Sequence, residues 1–295
     1  MKRQRIFITG ASRGLGLSLA RNLEKTGLFH IILSARLESL PLLEKRFKGN
    51  SHVELVELDL RNPSQIQSVC QKVNDEGGVD ILINNAAVIY RGVVEQVLDQ
   101  EEKELFQTNY FSHRELIKSF LPLMKKNGGK IINISSVGGM MSMPTMSSYS
   151  ASKFALEGMS EALYYELKPF NIQVNIVQIG FLHSESFQRT LMPVAARQNE
   201  DPSYKEYYQG MKHFIGTLML NRLNNNTPEN ISKKVINKLI LNNYSGLRYL
   251  ATLDAHFFSF WRRFVPRRIY HAFLYLFLPH KIRKVLKFFS STTED

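Results

Sequence analysis

The stretch Thr9-Gly10-Ala11-Ser12-Arg13-Gly14-Leu15-Gly16, entered from the apolar run Ile6-Phe7-Ile8, decides how this chain folds. Consecutive Ile, Phe and Ile closed by a turn residue read as a strand buried on both faces. From Gly14 to Lys25 apolar residues recur at helical spacing, so the loop joins a strand to a helix. Three glycines let the backbone turn tightly and approach a ligand. The helix start beyond them offers free N–H groups to an anion such as a pyrophosphate. A plain strand–helix turn also carries glycines, so the loop by itself leaves both readings open.

Working outward, the same alternation repeats. Arg5–Thr9, His30–Ala35, Val53–Leu58, Val79–Asn84, Lys130–Ser135 and Ile172–Gln178 read as buried strands, and Arg248–Ala251 as a last one. Between them Gly14–Lys25, Pro63–Glu76, Gln100–Lys125 and Ala151–Lys168 read as helices. Strand–helix alternation at this spacing predicts an α/β fold, a doubly wound parallel sheet covered by helices on both faces. The chain of 295 residues, 44% hydrophobic and 22% charged, has the balance of a globular protein and length enough for a full core. One cysteine, Cys70, excludes an intramolecular disulfide and a cysteine-based zinc site. The eight histidines show no paired spacing, so no metal is expected. The basic N-terminus is followed by too short an apolar run for a signal peptide, and no apolar stretch reaches the length of a spanning helix. A cytoplasmic protein is therefore expected, and the two sequons at Asn225 and Asn230 are read as chance.

The end of the second strand bears on which dinucleotide the loop would take. A free ribose 2′-hydroxyl is usually held by an acid there, whereas this chain has Ser34-Ala35-Arg36. Arg36, with Arg13 from the loop, suits a 2′-phosphate, so NADP(H) is the expected cofactor; two solvated surface arginines are the alternative. The Lys130–Ser135 strand leads into Ser136. Tyr149 follows thirteen residues later and Lys153 four after that, one helical turn apart on one face. In this trio Ser136 would orient a substrate carbonyl and Tyr149 would carry the proton. A free phenol near pKa 10 is a poor acid–base at neutral pH, so the Lys153 ammonium and a positive nicotinamide are expected to bring it down.

With these motifs in order, roughly Arg5 to Ser184 resembles the short-chain dehydrogenases/reductases. The resemblance implies a Rossmann-type sheet of about seven parallel strands, with cofactor contacts at Gly10, Ser12, Arg13, Gly14, Leu15 and Gly16. It places adenine against Asp59-Leu60. Asn84-Asn85-Ala86-Ala87 matches the motif supporting the central strand, with Asn85 and Ala86 at the cofactor; the family usually ends it in Gly. It makes Ser136, Tyr149 and Lys153 catalytic, with Asn109 holding a water for proton relay. It also implies pairing of subunits through helices, as a homodimer or homotetramer. The chain departs after the sixth strand, where Ile179-Gly180 stands for the family's Pro-Gly. Gly180 keeps the close approach to the nicotinamide and Ser184 sits where a Thr often binds the carboxamide. The stretch from Ser136 to Gly158 is most similar to the branch acting on steroids, retinoids and long-chain keto-lipids. An apolar small-molecule substrate is thus expected, with Met140, Met141, Met143, Met146, Phe181, Phe187, Leu191 and Met192 at the cleft mouth. Ordinary core packing would use the same residues. The activity implied is hydroxyl–carbonyl interconversion by hydride transfer; the alternative is a non-catalytic NADP-binding sensor or scaffold.

The charge is unevenly placed. Of a formal net charge of +12, eight cations with no acid fall between Ala255 and Phe289. Residues 1–253 are read as the catalytic domain, and 254–295 as a basic, aromatic helical tail cut by Pro266 and Pro279 into three pieces. Basic and aromatic residues at helical spacing suit the headgroup layer of an anionic membrane. A subdomain packed over the cleft is the competing reading. No nucleic acid is expected, since the tail carries no recognisable nucleic-acid module and Leu276-Phe277-Leu278 is too apolar to track phosphates.

Overall fold

A computed structural model describes residues 3–183, 190–198, 204, 208–211 and 226–276. Seven strands form one sheet: β1 (Gln4–Ile8), β2 (Phe29–Ala35), β3 (Val53–Glu57), β4 (Ile81–Asn84), β5 (Gly129–Ser136), β6 (Ile172–Ile179) and β7 (Arg248–Leu250). Their order is β3-β2-β1-β4-β5-β6-β7 and every pair is parallel. The sequence had each of these within a residue or two. Strand β1 pairs with β2 on one side and β4 on the other, with Ile8 opposite Leu33 and Ile83. Strand order reverses there, and the crevice at the carboxyl ends of β1 and β4 is where an open α/β sheet binds its ligand.

The helices are α1 (Gly14–Thr26), α2 (Leu40–Arg46), α3 (Pro63–Asp75), α4 (Asp99–Phe106), α5 (Ser112–Asn127), α6 (Ser147–Glu166), α7 (Val194–Gln198), α8 (Pro228–Val235), α9 (Leu253–Phe264) and α10 (Arg267–Leu276). Side chains alternate along a strand, so each strand serves two cores. Ile6 and Ile8 join Leu19 and Leu23 of α1 and Ile231 and Val235 of α8 on one face. Phe7 joins Ile66 and Val73 of α3 and Leu116 and Phe120 of α5 on the other.

Two boundaries differ from the sequence reading. The single helix expected over Gln100–Lys125 is two helices joined by a π-helical turn at Gln107–Phe111. Such a turn adds a residue without interrupting the apolar face, so periodicity does not betray it. The turn brings Asn109 fully into the interior. Helix α6 begins at Ser147, four residues before the expected Ala151, because Ser148, Ser150 and Ser152 are buried despite their polarity. The tail breaks between α9 and α10 around Pro266, as its fixed backbone angle requires, while Pro279 lies outside the described residues.

Phe120 is fully buried and its ring centroid lies 5.4 Å from that of Phe7, tying α5 to the central strand. Phe120→Ala is expected to lower stability by about 3–5 kcal/mol in urea unfolding. Lys118→Ala, on the exposed side of the same helix, should stay within about 0.5 kcal/mol of the parent.

Candidate active site

The glycine loop is built against the β4 end. The Thr9 hydroxyl accepts hydrogen bonds from the amides of Asn85 at 2.9 Å and Ala86 at 3.0 Å. The Asn85 side-chain amide donates back to the Thr9 carbonyl at 2.9 Å. Gly10 has φ +65° and lies so close to Ala86 that a Cβ would come within 2.8 Å of its Cα, so only glycine fits. Helix α1 has no acidic residue in its first turn, and its N-terminal amides open into a cavity of about 690 Å³. That combination fits a pyrophosphate.

Ser12, Arg13, Gly14, Leu15 and Gly16 line this cavity together with Gly10. Arg36, Asp59, Leu60, Asn85, Ala86, Ser136, Tyr149, Lys153 and Gly180 line it too. Asn109 supports the wall from behind, and Ser184 and Phe187 lie outside the described residues. The Arg36 side chain is half exposed and lies 3.1 Å from Glu38. Asp59 is turned onto Arg61, accepting from its Nε at 3.0 Å, and this bond holds the carboxyl below its ordinary range. Arg61, which sequence reasoning missed, thus joins Arg13 and Arg36 on the cavity wall. Its signal was its place two residues after Asp59.

At the other end of the cavity, β5 delivers Ser136 and α6 delivers Tyr149 and Lys153. The Ser136 hydroxyl accepts from the Gly138 amide at 3.1 Å, which leaves its proton free to be donated, and it faces the same cavity as Tyr149. Lys153 donates to the Ile134 carbonyl at 2.9 Å, pinning α6 to β5. The Asn109 side chain closes a double hydrogen bond with the Val88 peptide at 2.8 and 3.0 Å and donates to Ser152 at 3.1 Å. Burial raises the Tyr149 phenol above its ordinary value, and the Ser136 hydroxyl offsets this only in part. Burial brings the Lys153 ammonium down to about 8, while the Glu157 carboxylate works in the opposite direction.

Glu157 was not singled out by sequence, although it stands one turn beyond Lys153. It is buried and accepts from Ser135 at 2.7 Å and from Gln178 at 2.8 and 2.9 Å, so α6 is anchored to the ends of both β5 and β6. The loop after β6, which lacks the family's proline, is clamped from outside. Thr252 accepts from the Gly180 amide at 2.9 Å, and Asp254 accepts from the Phe181 amide at 2.6 Å. A Cβ on Gly180 would collide with the Asp254 carboxylate.

The apolar walls are Met141, Met143, Met146, Phe181, Leu191 and Met192, whereas Met140 does not reach the cavity. Arg91, also unforeseen, lines the mouth while buried, and burial pushes its guanidinium down to about 10.

The family model for short chain dehydrogenases matches residues 4–192, and the chain belongs to that family. It is 38% identical over 203 residues to a 3-ketodihydrosphingosine reductase of Bacteroides thetaiotaomicron, covering 68% of this chain and 72% of the relative. A short-chain dehydrogenase structure from Streptomyces avermitilis superposes with a TM-score of 0.74 at 29% identity, over 87% of this chain and 90% of that one. A gluconate 5-dehydrogenase from Burkholderia cenocepacia, in complex with NADP and tartrate, has a TM-score of 0.59 at 27% identity, over 64% and 75% of the two chains. The chain is an oxidoreductase of the class acting on CH–OH groups.

His113, one turn after Asn109, is fully buried, and burial together with the Lys153 charge lowers its imidazole to about 3. The unfolded chain takes up a proton near pH 6.5 that the folded state refuses, so this group costs stability as pH falls from about 6.5 toward 3. Between pH 7 and pH 5 the loss it causes is about 2 kcal/mol. His113→Leu is expected to remove that part of the difference between urea unfolding curves at the two pH values. An unchanged difference would mean that the imidazole is protonated in the folded protein.

Proposed function

We propose that the protein is an NADP(H)-dependent reductase of an apolar, lipid-like carbonyl compound, working through Tyr149. The observation that carries this reading is the union of Ser136, Tyr149 and Lys153 in one cavity with the glycine loop. In that cavity burial keeps the Tyr149 hydroxyl protonated. Bound at the loop, NADPH would supply the hydride.

The amides of Gly14 to Gly16 and the helix start would hold the pyrophosphate. Arg13 and Arg36 would grip the 2′-phosphate by charge-assisted hydrogen bonds, Arg36 exchanging its ion pair with Glu38 for the phosphate. Asp59 and Leu60 would border the adenine. Asn85 and Ala86 would flank the ribose side, and Gly180 would let the cofactor approach the β6 end. Ser184 would take the carboxamide. Ser136 would donate to the substrate carbonyl oxygen and orient it beside Tyr149. Tyr149, already protonated, would then hand its proton to that oxygen. Lys153, with an ammonium eased to about 8, would return a proton to Tyr149 through a relay that Asn109 steadies.

Support for NADP(H) comes from the two arginines and from the NADP complex of the Burkholderia dehydrogenase. Support for a lipid-like substrate comes from the methionine-rich walls, which adapt to bulky apolar ligands, and from the relative that reduces 3-ketodihydrosphingosine. Reduction as the working direction is favoured by a phenol that burial keeps protonated.

Tyr149→Phe keeps the ring and deletes the proton donor, so turnover with long-chain ketones should fall by at least about 100-fold with NADPH affinity intact. Parent-like turnover in that variant would end the assignment. Arg36→Asp should shift the ratio of NADPH to NADH efficiency toward NADH by at least about tenfold, as one charge-assisted bond is worth about 1.5–3 kcal/mol. An unchanged ratio would show that Arg36 does not read the phosphate.

A further inference from the structure

Helix α9 is turned inside out. Leu253, Phe257, Phe260 and Phe264 follow one another at steps of four, three and four residues and form a single stripe, which in a surface helix should face the core. In this protein the stripe faces outward: Leu253 is 76% exposed, Phe260 59% and Phe264 63%. The helix is nonetheless firmly seated on its other side. Ala255 is fully buried, Thr252 caps its start, and Asp254 holds the loop after β6. Beyond Pro266, α10 continues the pattern with exposed Ile269 beside a buried Tyr270.

Cations border the apolar stripe. Arg262, Arg263, Arg267 and Arg268 are all exposed, and no carboxylate occurs between Ala255 and Leu276. A second copy of the same surface would set these charges against each other, which disfavours self-association. The described residues include no helix long and apolar enough to cross a membrane. Aromatic side chains flanked by arginines, with no opposing acid, suit the boundary between anionic headgroups and acyl chains.

We propose that α9 and α10 form a docking face that lays the protein on an anionic lipid surface. The other side of α9 adjoins the cavity. Phe258 of α9 packs edge-on against Phe181, a cavity wall, with centroids 6.4 Å apart. Arg262 covers the ring of Phe154 on α6, the helix bearing Tyr149 and Lys153, at 5.4 Å. Docking therefore sets the cleft beside the bilayer, and a membrane-dissolved carbonyl compound enters from the lipid without crossing water; this last step rests on the apolar-substrate reading.

The test uses the full chain, with vesicles of phosphatidylcholine alone and of phosphatidylcholine with about one third phosphatidylglycerol. Trp261, the one tryptophan of the sequence, lies on α9 and reports docking by a blue shift of its emission. Co-sedimentation with the anionic vesicles only, weakened by salt, is expected. Arg263→Glu with Arg267→Glu should lower the partition coefficient at least about 25-fold, counting about fivefold for each cation lost. Phe260→Ser with Phe264→Ser should abolish the blue shift. Both double variants should reduce a water-soluble short ketone at the parent rate and lose turnover of a vesicle-dissolved long-chain ketone. Parent-like vesicle binding by both variants, or no binding by the parent at low salt, would overturn the docking face. So would a concentration-dependent dimer that the Phe260→Ser, Phe264→Ser variant abolishes. Binding as expected with no turnover of either ketone would leave docking intact and count against the proposed activity alone.

Discussion

The rest of the site depends on how closely two strand ends meet. The Thr9 hydroxyl takes the amides of both Asn85 and Ala86, and Gly10 then packs onto Ala86 with no room for a side chain. This junction joins β1 to β4 where the strand order reverses, and so sets the mouth of the crevice. A polar chain extends the alignment inward: Asn84 donates to Asn133 at 2.8 Å, and Asn133 to Ser160 of α6 at 2.8 Å. Buried amides left without partners would each cost about 1–3 kcal/mol, so the register of β4, β5 and α6 has little freedom.

Burial dominates the electrostatics around Tyr149. The phenol, the Lys153 ammonium and the His113 imidazole lie in the interior, and each is pushed toward its neutral form. Glu157 is the counterweight: it favours the charged Lys153 while its oxygens are taken by Ser135 and Gln178. A neutral imidazole beside Lys153 spares the site a second buried cation, a pairing that low dielectric would make costly.

Much of this was legible in the order of residues. The unbroken apolar run Ile6-Phe7-Ile8, the glycines of the loop, and the four-residue step from Tyr149 to Lys153 are local patterns, and local patterns survive in a string of letters. The π-turn at Gln107–Phe111 was not legible, because it keeps the apolar face continuous while turning Asn109 inward. Nor was the clamp on the loop after β6, whose Thr252 and Asp254 come from some seventy residues further along. Met140 illustrates the opposite error: its neighbours line the cavity and it does not.

By itself the sequence determined the layered α/β architecture, the strand ends that carry the ligand loop, and the residue types able to move a proton. These follow from periodicity and from the backbone freedom of glycine, which act over a few residues. Tertiary structure alone decided which groups lose their water and which apolar stripe is left without a partner. Burial brought Lys153 to about 8 and His113 to about 3, and packing of α9 through Ala255 and Asp254 left Phe260 and Phe264 facing out. Both outcomes depend on what distant segments cover, and spacing along the chain carries no record of that.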